Sequence, residues 1–376
     1  MKVISLGELS PEKFLRDYWQ KKPLLVRNAI SDFQDLLTYE ELINLACQED
    51  SQSRLITKRR EKWFVKNGPL SSSNFSSLDK KQWSLLVHDI NHILPSARDL
   101  LQKFSFIPYA RLDDLMVSYA PKGGGIGPHI DSYDVFLLQG KGSKRWQITS
   151  QQDNSLIEDI PLKILRNFNP EQEWVLTAGD MLYLPPNYAH NGMAENDCMT
   201  YSIGFCAPSH QELIDQFLIY LQDNIKVDGW YSDPDIKLQP HPAIISSSML
   251  DQTKTILEKI KWDNIDIANF LGTYLTEPKP HIFFNQPLTP LSQTKFLQQV
   301  LKAGLQLDLK SHMLVKNNKF FLNGDAYVVG AGSSYLLQSL ADNQKLSPGE
   351  AINKEISDLL YQWYLYGYIL LINEAN

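Results

Sequence analysis

The sequence predicts an α+β chain: an all-β sandwich or barrel in the middle, then helices, then a small mixed module at the end. Three observations predict it. Between about residues 109 and 206, short segments rich in β-branched and aromatic residues follow one another, punctuated by Gly, Pro and Asn. After "APS" (207–209) the apolar period returns to that of a helix in "HQELIDQFLIYLQDNI". From about residue 280 the order is helix, short hairpin ("HMLVKNNKFFLNG") and more helices, as in a small winged-helix-like module.

The 376 residues suffice for two or three domains, and 43% hydrophobic with 21% charged residues is an ordinary globular composition. A formal charge of −7 argues against a general polyanion binder. Cys47, Cys198 and Cys206 form no CxxC pair and are odd in number, so a reducing cytoplasm is the expected compartment. The N-terminus turns polar too soon for a signal peptide, and no run of about 18 apolar residues exists, so no membrane association is expected.

Taken in order, Ser10, Pro11 and Glu12 mark a helix start, with Phe14, Leu15, Tyr18 and Trp19 at helical spacing. "PLLVRN" predicts a strand. From "TYEELINLAC" to about residue 100 the pattern suggests short helices and loops, with "WSLLVHDINHIL" helical. "RLDDLMVSYA", "YDVFLLQG", "KRWQIT", "EWVLTAGDMLYLPP" and "MTYSIGFCA" are the barrel strands. "GWYSDPDIKLQPHPA" is a linker, "SSMLDQTKTILEKI" a helix, and "TEPKPHIFFNQPLTP" a second Pro-rich break. "YQWYLYGYILLI" predicts a buried terminal helix.

The chemistry concentrates in "PKGGGIGPHIDSYD", residues 121–134. Side chains two apart on a strand share a face, roughly 7 Å apart along the chain. His129 and Asp131 therefore aim into one cavity, behind a loop with four glycines. A third ligand is best supplied by His190 in "GDMLYLPPNYAHNG", where Pro185 and Pro186 fix a turn before the next strand. Two His and one carboxylate, with half the coordination sphere open, is the donor set of non-haem Fe(II) oxygenases. Singly, each feature has a plainer alternative: a chance His-x-Asp pair, a satisfied core or surface histidine, a glycine hairpin. Only together do they point to a metal. His88, His92, His210, His241, His281 and His312 lack such a setting and are expected to be structural or surface residues.

Five stretches, "DYWQKKPLLVRN", "DDLMVSYAPKGGGIGPHIDSYDVFLLQGKGSKRWQI", "AGDMLYLPPNYAHNG", "MTYSIGFCAPS" and "GWYSDPD", carry a resemblance. The sequence resembles the JmjC-type, 2-oxoglutarate-dependent oxygenases on a double-stranded β-helix (cupin) core. It is most similar to the bacterial ribosomal oxygenases, which hydroxylate an arginine in a large-subunit ribosomal protein. The likeness covers most of residues 8–240; the C-terminal third matches mainly by arrangement. It implies an oxygenase domain with an N-terminal extension over 1–208, a helical dimerisation region over 209–277 and a winged-helix-like domain over 278–376. It also implies Fe(II) on His129, Asp131 and His190, 2-oxoglutarate and dioxygen as co-substrates, and a homodimer. The implied reaction is hydroxylation at the β-carbon of an arginine in a ribosomal-protein loop.

The resemblance further implies that Lys144 in "GKGSKRWQI" meets the distal carboxylate of 2-oxoglutarate. Alternation places Lys144, Trp146 and Ile148 on the apolar face, although a charged hairpin end is the plainer alternative. Ser118 and Thr200 are the expected hydroxyl partners. Thr200 stands where close relatives would carry Asn and offers one donor rather than two. On "DDLMVSY", period-2 counting puts Asp114, Met116 and Ser118 on one face. Asp114, which is otherwise a surface or turn carboxylate, suits a guanidinium guest, which pairs with a carboxylate bidentately. Tyr133 would pack the guest's stem, and Ser202 lines the same cavity. The rivals are a histidine hydroxylase of a ribosomal protein, a JmjC-type demethylase and a non-catalytic cupin adaptor. The terminal module lacks the basic stripe of a DNA binder, so direct nucleic-acid binding is not expected.

Overall fold

Helix caps set the first elements of the chain. Ser10 accepts from Lys13 N, with Pro11 in the first turn of α1 (Pro11–Asp17). After β1 (Leu24–Val26), Thr38 and Glu41 form a reciprocal capping box on α2 (Tyr39–Ala46). The computed structural model describes residues 3–60 and 62–372.

The segment expected to be short helices and loops instead supplies β2 (Ser53–Arg59), β3 (Lys62–Asn67) and β4 (Trp83–Val87), with only a short helix, α3 (Ser72–Ser76), among them. "WSLLVHDINHIL", expected as one helix, is β4 followed by a single 3-10 turn at Ile90–His92. All of β4 is buried, so it shows no alternation, and a continuous apolar run this short has no period that separates strand from helix. Then comes α4 (Pro95–Gln102).

The expected barrel strands follow: β5 (Leu112–Ala120), β6 (His129–Ile130), β7 (Asp134–Gln139), β8 (Ser143–Thr149), β9 (Gln172–Thr177), β10 (Met181–Leu184), β11 (Ala189–Ala194) and β12 (Cys198–Phe205). They form two antiparallel sheets. One has the order β1-β10-β7-β12-β5-β4-β2-β3; the other is β6-β11-β8-β9. Two layers closing on each other in this way make the double-stranded β-helix. Alternation sorts the side chains of the larger sheet. Leu115, Val117, Phe136, Leu138, Tyr201 and Ile203 pack outward in one core with Phe14, Leu42 and Leu100 of the helices. Val135 and Leu137 point inward and meet Trp146, Ile148 and Leu176 of the smaller sheet.

Beyond the barrel run α5 (His210–Asn224), α6 (Ser247–Leu257) and α7 (Asn264–Thr276). The terminal module comprises α8 (Gln293–Ala303), β13 (Leu305–Leu307), β14 (Met313–Lys316), β15 (Lys319–Leu322), β16 (Asp325–Val328), α9 (Ala331–Asn343), β17 (Lys345–Leu346), α10 (Lys354–Tyr366) and β18 (Ile369–Leu371). The terminal apolar stretch is therefore not one helix. Gly367, at φ 77°, caps α10, and the residues after it pair with β13. The module has its own core around Phe296, Leu337, Leu360 and Trp363. It is tied to the barrel by Arg98 Nη1 on Leu307 O (2.8 Å) and Tyr109 OH on Asp342 O (3.1 Å).

The apolar stripe of α5 is used inside the chain: Phe217 meets Phe270 of α7 at 5.2 Å and Trp262 at 5.7 Å between ring centroids. α7 in turn lies on the β14–β16 sheet, so closely that a Cβ on Gly272 would collide with the Phe321 ring. A second apolar set remains outside, with Ile214, Leu218 and Ile219 each more than half exposed. Among the described residues, no helix is long and apolar enough to cross a membrane.

Candidate metal centre and its pocket

His129 and His190 sit directly opposite each other in the β6–β11 ladder, and Asp131 follows just past the end of β6. Ligand atoms of all three lie within 4.8 Å of one another, a group that could hold a metal ion. Asp131 Oδ2 is 3.9 Å from His129 Nε2 and 3.6 Å from His190 Nε2. Each imidazole is aimed from behind: His129 Nδ1–H donates to Gly127 O at 2.9 Å and His190 Nδ1–H to Tyr188 O at 3.1 Å. That fixes both tautomers with Nε2 free toward the carboxylate, the second-sphere pattern of metal-ligating histidines. Burial, then the neighbouring His129, pushes His190 down to about 4, so it is neutral, as a metal ligand must be.

The glycines serve close approach. Gly123 and Gly124 exchange backbone hydrogen bonds with Ala194, and a Cβ on Gly125 would strike Gly192 O at 2.3 Å. The loop is thus stitched onto β11, the strand that carries His190. Asn187 N also donates to Asp131 O at 3.0 Å, joining the turn after the two prolines to the third ligand.

Lys144, Trp146 and Ile148 are buried as their alternation predicts, with Ser143, Arg145 and Gln147 between them partly exposed. Lys144 is 6% exposed and forms no ion pair with a carboxylate among the described residues. Its Nζ lies 4.7 Å from the centroid of the Trp146 ring, and burial lowers its pKa. Trp146 Nε1 is buried with no hydrogen-bond partner, and its ring is 5.9 Å from that of His190. A buried cation without an anion, and an N–H without an acceptor, both next to the metal group, fit an anionic ligand.

Ser118 and Thr200 are paired across β5 and β12, as are Met116 and Ser202. These side chains therefore share one face, opposite to that of Val117 and Tyr201. Lys144 interacts with Cys198, which pairs with Ala120 in the adjacent row of the same face. The Thr200 hydroxyl donates to Gln139 Oε1 in a long 3.4 Å contact. Tyr133 lies past the end of β6 and is 40% exposed; its phenol lies beside Asp131, and partial burial together with that carboxylate raises its pKa.

Asp114 is buried, but not unattended. Its Oδ2 accepts from His88 Nδ1–H at 3.1 Å and from Asp89 N at 3.3 Å. Only Oδ1, on the side of Gly204, is unengaged among the described residues. The freely bidentate carboxylate expected from sequence is thus half committed. His88, His92 and His281, set aside in the sequence, gather here with Asp89 and Lys279. A period-2 count could not find them, because they lie in a turn and in a Pro-rich segment 190 residues away; "VHDINH" after a strand was the only signal.

The chain matches two protein families: the JmjC domain over residues 99–213 and the ROXA-like winged helix over residues 259–369. It is 32% identical to ribosomal protein uL16 3-hydroxylase of Escherichia coli over 77% of this chain and 78% of that one. It is 41% identical to a probable ribosomal oxygenase of Haemophilus influenzae over 65% of this chain and 59% of that one. Its fold superposes on the X-ray structure of Escherichia coli YcfD with a TM-score of 0.86 at 29% identity, covering 98% of this chain and 100% of the other. A structure of YcfD in complex with cobalt and 2-oxoglutarate matches with a TM-score of 0.83 at 28% identity, over 98% and 99% of the two chains.

Proposed function

The chain belongs to the ribosomal oxygenases, JmjC enzymes that use Fe(II), 2-oxoglutarate and dioxygen, and from that premise we propose that it hydroxylates the β-carbon of an arginine in a large-subunit ribosomal protein. The relative named for uL16 makes that protein the first substrate to test. The observation that carries the choice of arginine is Asp114: a buried carboxylate beside Gly204, two residues after Ser202 on β12, with one oxygen unengaged among the described residues. A guanidinium satisfies it with charge and directed N–H donors; a neutral imidazole brings no charge, and a methylated ammonium brings charge but few or no N–H groups for the open oxygen.

His129, Asp131 and His190 hold the iron. Lys144, with Ser118 and Thr200, receives the distal carboxylate of 2-oxoglutarate. Bound together, iron and 2-oxoglutarate supply the activation of dioxygen and the oxidation of a substrate C–H bond. The rest of the work is positioning, because such an oxidant attacks the bond nearest to it. Asp114 and Ser202 orient the guest's polar end, while Met116 and Tyr133 pack its aliphatic stem. Ile148, Leu176 and Leu184 keep the space between the sheets dry.

We also assign a homodimer to the segment 209–277. The exposed Ile214, Leu218 and Ile219 of α5, with Met249, Leu250 and Leu257 of α6, form the kind of apolar surface that a second copy covers. A cytoplasmic enzyme meeting ribosomal proteins is the matching location. The test is mass spectrometry of ribosomal proteins from cells with and without the gene. A gain of one oxygen on an arginine of uL16, present only with the gene, is expected; an unmodified arginine in both samples would refute the assignment.

A further inference from the structure

The groups behind Asp114 form a chain that begins in the terminal third of the protein. Val87 is the last residue of β4 to pair with β5, opposite Val117. The polypeptide then leaves the sheet, and residues 88–91 wrap the end of β5 that β4 no longer covers. Asn91 Oδ1 accepts from Leu115 N at 2.9 Å, while His88 Nδ1–H and the Asp89 amide both donate to Asp114 Oδ2.

Asp89 can present its amide there because its backbone is left-handed, φ 56° and ψ 30°. Asp enters that region more readily than most non-glycine residues, so what fixes this turn is the hold on its side chain. The fixing groups come from "EPKPHI", the segment that leads from α7 into the terminal module. Lys279 Nζ donates to Asp89 Oδ1 at 2.8 Å, and His281 Nε2–H donates to Asp89 Oδ2 at 3.2 Å. Lys279 also pairs with Asp113 Oδ1, the neighbour of Asp114, at 3.1 Å. Asp89 is 6% exposed, so its charge depends on these partners. Pro278 and Pro280 flank the lysine and restrict its backbone.

We propose that Lys279 and His281 are positioning residues for substrate recognition: by clamping Asp89 they hold the His88–Asp89 turn on Asp114 Oδ2 and leave Oδ1 as the oxygen offered to the guest. The proposal rests on the reading of Asp114 as the guanidinium partner. Without the clamp, the turn relaxes from its left-handed form, and the carboxylate rotates about its last side-chain bond instead of facing the pocket. The terminal module then has a part in specificity that needs no nucleic acid: its leading segment sets the direction of a carboxylate in the oxygenase pocket.

The test is steady-state kinetics of the full-length protein on the uL16 arginine peptide that the wild type hydroxylates, with Asp114→Ala as reference. Lys279→Ala and His88→Gln should each raise KM for the peptide roughly tenfold, the scale of one lost buried orienting hydrogen bond. KM for 2-oxoglutarate should stay at the wild-type value in both, which general damage to the fold would not spare. Lys279→Arg should recover most of the loss. Lys279→Met, which keeps the aliphatic stem, replaces Lys279→Ala if that variant does not fold. If Asp114→Ala impairs the peptide and the Lys279 variants do not, the clamp is overturned while the arginine reading stands. If Asp114→Ala itself leaves peptide kinetics unchanged, the arginine reading falls and the clamp falls with it.

Discussion

His129 and His190 face each other across two antiparallel strands with ring centroids 4.2 Å apart, and each donates its Nδ1–H to the carbonyl two residues before it. The same local device aims both imidazoles, so Asp131, beyond the strand end, is the member that would complete a metal site and balance its charge.

Asp131→Ala should therefore abolish 2-oxoglutarate turnover and weaken metal binding by at least tenfold. Cobalt titration followed by visible absorption checks the second point without depending on activity. Near-normal 2-oxoglutarate consumption by the variant would mean that the metal lies elsewhere.

Lys144→Ala should raise KM for 2-oxoglutarate on the order of 100-fold, since in the proposed pocket the distal carboxylate would lose a cation worth about 3 kcal/mol. Cobalt affinity should survive. An unchanged KM would move the distal carboxylate to another site.

Gly192 offers an independent probe of the same pocket. An added Cβ would lie 2.7 Å from the Trp146 ring and 2.9 Å from Lys144 Cε. The lysine end can shift but the ring cannot, so Gly192→Ala should raise KM for 2-oxoglutarate by about tenfold, in line with overpacking costs of 1–3 kcal/mol. Kinetics equal to wild type would show that the two side chains have room to move apart.

His92 predicts a pH effect on stability. Burial is the main cause that pushes it down to about 4 from 6.5. In the unfolded chain it takes up a proton below about 6.5, but in the fold it does so only near 4. The stability it contributes is present above 6.5 and is lost as pH falls toward 4, amounting to about 3 kcal/mol. Denaturant unfolding across that range should show a shallower slope in His92→Leu than in wild type. Identical slopes would rule out this source.

Assembly is read by sedimentation. At micromolar concentration the wild type should be a dimer, and Leu218→Glu combined with Leu250→Glu should be a monomer with its fold retained, because both side chains are exposed in the single chain. A wild-type monomer would count against the assignment.

Much of this protein was determined by sequence alone. Alternation in "RLDDLMVSYA" and "KRWQIT" placed Met116 and Ser118 on one face and buried Lys144 with Trp146, as a strand's period of two requires; at Asp114 the register of β5 on β12 shifts, so there the count alone does not decide. The caps at Ser10 and Thr38 started helices for equally local reasons. Sequence did not reveal β4, whose burial on both faces erases its period. Nor did it show that Phe217 packs on Phe270 of the same chain while Ile214, Leu218 and Ile219 stay outside. Only the tertiary structure decided that Asp114 has one oxygen already held, and that Lys279 stands behind the turn that holds it. Local pattern specifies which way a side chain points relative to its neighbours. What it meets there depends on segments 190 residues apart, brought together by the packing of the terminal module on the barrel.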